Sequence, residues 1–184
     1  MRRVIVSEFM SLDGVIEDPR WSLKYWGDRI SDFKQQELFD VDALLLGRVT
    51  YEGFAQAWPG RKDEDGYADR INSMQKYLVS TTAEQGKWGP TQIIRDNVAE
   101  QIRRLKEQDG QDILIFGSGK LVNSLIPAGV IDEYRLLVYP VVLGSGQRLF
   151  EEGTATDFEL VKSWESGTGA IALIYRRAEA RRER

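Results

Sequence analysis

The stretch Ile113-Leu114-Ile115-Phe116-Gly117-Ser118-Gly119-Lys120 decides the fold. Four apolar residues run into a glycine turn, and behind the turn Leu121, Val122, Leu125 and Ile126 recur on one side of a helix. Pro127-Ala128-Gly129 stops that helix. Strand, tight turn and helix in this order form the repeating unit of a parallel sheet. The same order recurs upstream. Ala43-Leu44-Leu45-Leu46 breaks at Gly47-Arg48 into a helix from Thr50 through Tyr51 and Phe54 to Ala57. Tyr77-Leu78-Val79 ends at Ser80-Thr81-Thr82, and Val4 to Met10 ends at Ser11-Leu12-Asp13-Gly14, where Asp-Gly signals a turn.

Working outward, Ile30, Phe33 and Leu38 keep helical spacing, and Ile93-Ile94 is a brief strand. Asn97 with Glu100 three residues on reads as a helix start. The later chain is strand-rich. Ile131 to Leu143 and Phe158 to Trp164 are strand-like, and Ser166-Gly167-Thr168-Gly169 turns the chain into Ala170 to Tyr175, an antiparallel hairpin. The fold class is therefore α/β, a mixed and mostly parallel sheet covered by helices, with antiparallel strands at one edge. Residues 1–177 form one domain, and 178–184 a charged tail.

Composition removes whole classes of chemistry. With no cysteine and no histidine, the chain has no thiol nucleophile, no Ser-His-Asp triad and no Cys/His zinc site. The lack of cysteine agrees with a reducing, cytoplasmic compartment. A net charge of −4 disfavours nucleic acid as a partner. No apolar run approaches the roughly 20 residues that cross a bilayer.

Parallel strands would bring Gly47-Arg48-Val49-Thr50, Ser80-Thr81 and Gly117-Ser118-Gly119-Lys120 to one edge, where open α/β sheets bind ligands. Helix starts offer free N–H groups to anions, glycines let backbone approach a pyrophosphate, and Arg48 can grip a phosphate. The spacing matches neither the Rossmann fingerprint nor a P-loop, since Leu121 and Val122 stand where those motifs need other residues.

At these residues the sequence resembles the dihydrofolate-reductase-like superfamily, and in particular the reductase domain at the C-terminal end of bifunctional riboflavin-biosynthesis proteins. The resemblance is carried by Ser11-Leu12-Asp13-Gly14, Leu46-Gly47-Arg48-Val49-Thr50-Tyr51-Glu52, Ile115 to Leu121 and Tyr139-Pro140-Val141-Val142-Leu143-Gly144-Ser145-Gly146. It implies a three-layer α/β/α sandwich, NADPH as cofactor and no metal. It also implies phosphate contacts at Arg48 and Thr50, and adenosine contacts at Ser80 and Thr81. Gly117, Ser118 and Gly119 would wrap the pyrophosphate, and Gly47, Lys120 and Leu121 would complete the cofactor-binding set. The implied reaction is hydride transfer to a small heterocycle, as in 5-amino-6-(5-phosphoribosylamino)uracil reduction. Dihydrofolate reduction proper and a non-enzymatic NADPH sensor are the alternatives. Aligning Phe33-Lys34 with the folate branch puts Arg29 where that branch carries its acid.

Asp13, Asp28 and Asp32 are the candidate proton donors, each with a plainer reading as a turn or helix-end residue. Trp21, Phe54, Tyr139 and Gly144 are the candidate substrate contacts, with Tyr25, Trp26 and Trp58 nearby. The edges of the Ile131–Leu143 strand and the hairpin suggest a homodimer.

Overall fold

The computed structural model describes residues 1–178; the expected tail lies outside them from residue 179 on. Eight strands form one sheet in the order β4-β3-β2-β5-β1-β6-β8-β7. They are β1 (Val4–Ser11), β2 (Val41–Gly47), β3 (Gln75–Val79), β4 (Thr91–Ile94), β5 (Asp112–Phe116), β6 (Glu133–Tyr139), β7 (Phe158–Glu165) and β8 (Ile171–Arg177). The first six are mutually parallel, and β8 runs against both β6 and β7. A 3₁₀ helix, Pro19–Tyr25, precedes α1 (Asp28–Phe39); α2 (Arg48–Ala57), α3 (Tyr67–Ser73), α4 (Val98–Glu107) and α5 (Gly119–Leu125) follow in order.

The pleat sorts each strand's residues onto two faces. Ile5, Leu44, Leu46, Leu78 and Leu114 pack against Leu38 of α1, Tyr51 of α2 and Ile71 of α3. Val4, Val6, Leu45, Ile113 and Ile115 pack against Ile102 of α4 and Val122 and Leu125 of α5. This is the expected three-layer sandwich. Each inner strand is buried on both faces, so its sequence reads as an uninterrupted apolar run.

Two expected elements differ. The Ile131–Leu143 run pairs only over Glu133–Tyr139, because Pro140 has no N–H to offer the ladder. That strand also lies between β1 and β8, so it has no free edge; β7 has one. At α4, Asn97 is the cap residue, but its φ of 45° is left-handed and its side chain makes no cap bond. Glu100 pairs instead with Arg104, one turn on. No helix of the described residues is long and apolar enough to cross a membrane.

Candidate active site

The turns after β2 and β5 are bonded to each other. Ser118 Oγ accepts from Gly47 N at 3.0 Å and donates to the Phe116 carbonyl at 3.2 Å, tying the two strand ends together. Gly117 and Ser118 both take left-handed φ, 54° and 64°. A side chain at Gly117 would bring its Cβ within 3.3 Å of Thr50 Oγ1. At Gly119 a Cβ would come 2.5 Å from Ile16 Cδ1 and 2.9 Å from Gln147 Nε2. That amide nitrogen is buried without a hydrogen-bond partner among the described residues.

Donors at this junction remain uncommitted. The first turn of α2 has no acidic residue and no side-chain cap, so no side chain of the N-cap answers its N–H groups. Arg48 there reaches only Glu52, at 3.0 Å, in a pair with both side chains about half exposed. Such a surface pair contributes about 0.3 to 0.5 kcal/mol and yields readily to a phosphate. Lys120, in the first turn of α5, is exposed. Leu121 is buried in the core, 3.7 Å from where a Gly47 Cβ would stand, so it supports the junction from below. At β3, Ser80 Oγ accepts from Thr82 N and Ala83 N at 3.2 and 3.0 Å, while Thr81 is exposed. The Ser80 oxygen thus shapes its own turn. Together the left-handed Gly117-Ser118 turn and the cationic α2 start suit an anionic phosphate group.

The two remaining motifs lock onto each other. Asp13 accepts from Ser11 Oγ at 2.7 Å, Leu143 N at 3.1 Å and Gly144 N at 2.8 Å, which joins the end of β1 to the loop after β6. These bonds, Ser11's first, hold its carboxyl down at about 2. An acid held ionised in this way does not donate a proton near neutrality, which corrects the expectation for Asp13. Gly144, at φ 81°, serves the same clamp. Asp28 and Asp32 lie exposed on α1, turned away from the sheet.

The inward residues of α1 are Ile30, Lys34, Glu37 and Leu38, and the two charged ones escaped the sequence reading. Lys34 Nζ pairs with Glu37 and donates to Ser7 Oγ at 2.9 Å; Ser7 donates onward to Glu37 Oε2 at 2.9 Å. Arg135 of β6 stands 3.8 Å from Glu37 Oε1. Burial pushes the Lys34 ammonium below its ordinary value, and Glu37 opposes that shift. Lys34 Nζ also lies 4.2 Å from the ring centre of Phe116 and 5.1 Å from that of Phe9.

Aromatic rings continue on either side. Phe54 stands 6.1 Å from Phe116 and 6.3 Å from Trp58; Trp26 stands 6.1 Å from Phe9. Phe54 therefore belongs to a band of rings around one ammonium. Tyr139 does not face a cleft: it is fully buried, ringed by Phe9, Trp21 and Tyr25 at 5.6, 5.6 and 5.8 Å. Trp21 packs on it and donates its indole N–H to the Glu17 carbonyl at 3.0 Å. Exposed apolar side chains gather at the same strand ends: Leu12 after β1, Val49 on α2 and Val142 after β6.

A second missed acid sits on β1. Glu8 is 4% exposed, and its Oε1 is buried with no partner among the described residues. Burial lifts its carboxyl to about 8, and the Lys34 charge pulls it back. A carboxylate inside the apolar Val4–Met10 run was the available signal.

The geometry has counterparts. The fold matches a Shewanella sp. PV-4 protein provisionally named for riboflavin biosynthesis, with a TM-score of 0.75, 22% identity, and 96% and 99% of the two chains covered. It also matches Enterococcus faecalis dihydrofolate reductase complexed with NADP(H), with a TM-score of 0.62, 16% identity, and 96% and 97% covered. In sequence the chain is 29% identical to Bacillus subtilis protein YyaP over 182 residues, 95% of this chain and 94% of that one. Residues 2–172 match the model of the RibD C-terminal domain. The overall fold is thus dihydrofolate-reductase-like, and the chain belongs to the RibD C-terminal domain family.

Proposed function

We propose that this chain is an NADPH-dependent reductase of a small heterocyclic substrate, in the class that reduces 5-amino-6-(5-phosphoribosylamino)uracil. The observation that carries the proposal is the junction of Gly47, Thr50, Gly117 and Ser118, closed by the 3.0 Å bond from Gly47 N to Ser118 Oγ. Thr50 and the α2 N–H groups would hold the pyrophosphate, Arg48 the extra phosphate, and Thr81 the adenosine end.

Bound there, NADPH supplies a hydride to a C=N or C=O carbon. The chain's own residues supply orientation and the proton. Phe54, Phe116 and Phe9 offer a flat heterocycle its stacking surfaces. Lys34 holds a proton among those rings, where burial eases its release, and Glu37 with Ser7 fixes the ammonium's position. A sensor that only bound nucleotide would have no use for this second, cation-bearing pocket. The carboxylate that α1 does turn inward, Glu37, is engaged by Lys34, which disfavours the folate alternative.

NADPH should raise the melting temperature more than NADH at equal concentration. Arg48→Ala should weaken NADPH by about tenfold, the scale of one charge-assisted bond, and leave NADH nearly unchanged. If neither nucleotide shifts the melt, the reductase proposal fails. If Arg48→Ala weakens both equally, Arg48 does not read the extra phosphate. Turnover is then sought by following NADPH oxidation against pterins, ribosylamino-pyrimidines and simple imines.

The outer strand β7 carries Leu160 and Val161, each more than half exposed, at one of the two edges of the sheet. An exposed apolar edge favours pairing with a second copy. We expect a homodimer in sedimentation at micromolar concentration, broken by Val161→Lys; a monomeric wild type would refute it.

A further inference from the structure

We propose that the side chain of Glu8 receives the carboxamide of the bound nicotinamide. The assignment rests on the nucleotide site above, and strand order gives it direction. Across the sheet the order is β3, β2, β5, β1. A dinucleotide with its adenosine at the end of β3 and its pyrophosphate at the β2–β5 junction therefore extends its other end toward β1. Ser7 of β1 pairs with Phe116, so Glu8 comes level with Gly117, the first residue of the pyrophosphate turn.

On its face of β1, Glu8 falls between Val6 and Met10, which belong to the apolar cluster that includes Leu121, Val122 and Leu125 of α5. Its partner across to β6 is Leu136. The charge acting on it is that of Lys34, itself engaged by Glu37 and Ser7. Nothing in that apolar surround answers the carboxyl, and an unanswered buried acid costs stability. Burial keeps it neutral at pH 7, because its pKa stands at about 8. A neutral acid offers one O–H donor and one carbonyl acceptor. A primary carboxamide offers the reverse pair at the same spacing, so the two meet in two parallel hydrogen bonds.

The test is a binding titration, followed by intrinsic tryptophan fluorescence, with NADPH and with 2′-phospho-ADP-ribose, which lacks the nicotinamide. Glu8→Leu should weaken NADPH by about tenfold or more, the scale of two neutral hydrogen bonds, and leave the fragment unchanged. Glu8→Gln keeps a donor and an acceptor and should stay within about threefold of wild type by the same scale. Without ligand, Glu8→Leu should melt higher than wild type, since the unanswered acid is gone. Equal losses for NADPH and the fragment, or no loss for either, would overturn the role of Glu8 alone. If the wild type binds neither nucleotide, the nucleotide site falls and takes this role with it. A probe that needs no variant is the 3-acetylpyridine analogue of NADPH, which has no amide N–H. It should bind wild type at least about threefold more weakly, having lost one donor; equal affinity would refute the pairing.

Discussion

Replacing Lys34 by methionine should cost the fold about 3 to 5 kcal/mol, the usual penalty for stripping one partner from a buried ion pair. The ammonium and the Glu37 carboxylate are both more than nine-tenths buried. Without Lys34, Glu37 keeps the Ser7 hydroxyl at 2.9 Å and a guanidinium nitrogen of Arg135 no nearer than 3.8 Å. Neither offsets the desolvation of a full buried charge. Adding Glu37→Leu should return most of the loss, because an apolar pair of similar volume needs no desolvation. Urea unfolding at constant slope measures all three variants. A double variant less stable than Lys34→Met would show that the two groups do not act as a pair. The double variant separates folding from chemistry, since it should fold and still fail to turn over any substrate the wild type reduces.

The two halves of the site differed in how far the sequence exposed them. The glycine turns of the proposed nucleotide side were legible because their chemistry is local: glycine, hydroxyl and a cationic side chain stand within four residues of a strand end, as at Gly47-Arg48-Val49-Thr50 and Gly117-Ser118-Gly119-Lys120. The opposite side depends on which face of α1 meets the sheet. Ile30, Lys34 and Leu38 fall at i, i+4 and i+8, with Glu37 beside them, so the buried stripe runs straight through two charged residues. Of the polar residues on this helix Asp28 and Asp32 are exposed while Lys34 and Glu37 are buried, and the apolar spacing alone does not separate the two kinds. Tyr139 shows the converse, since an aromatic next to a turn proved to be the buried centre of a cluster. The match between Ser11-Leu12-Asp13-Gly14 and the loop ending at Gly144 was invisible in either stretch alone, because its meaning is the contact between them.

Gly89→Ala should destabilise the protein by about 2 to 4 kcal/mol, through backbone strain and overpacking together. Gly89 has φ 58°, a conformation that alanine adopts only at a cost. Its Cβ would also stand 2.6 Å from the Asn72 carbonyl oxygen and 3.0 Å from Lys76 Nζ. Neither neighbour can give way easily. Asn72 holds Trp88 Nε1 at 2.7 Å and takes the Lys76 ammonium at 2.5 Å, while Lys76 lies fully buried over the Trp88 ring. The same loop offers its Lys87 and Trp88 N–H groups to the Tyr51 hydroxyl, both at 2.8 Å, and Tyr51 is the buried anchor of α2. A displaced loop would therefore tilt the helix that presents Arg48 and Thr50, and NADPH should bind more weakly as well. Gly60→Ala is the control. Gly60 shares the left-handed backbone, at φ 76°, but a Cβ there meets nothing within 4 Å. That change should cost only about 1 kcal/mol, the strain alone. Equal losses at the two positions, measured by urea unfolding, would mean that contact with Asn72 carries no penalty and that the 83–91 loop does not hold α2 in place.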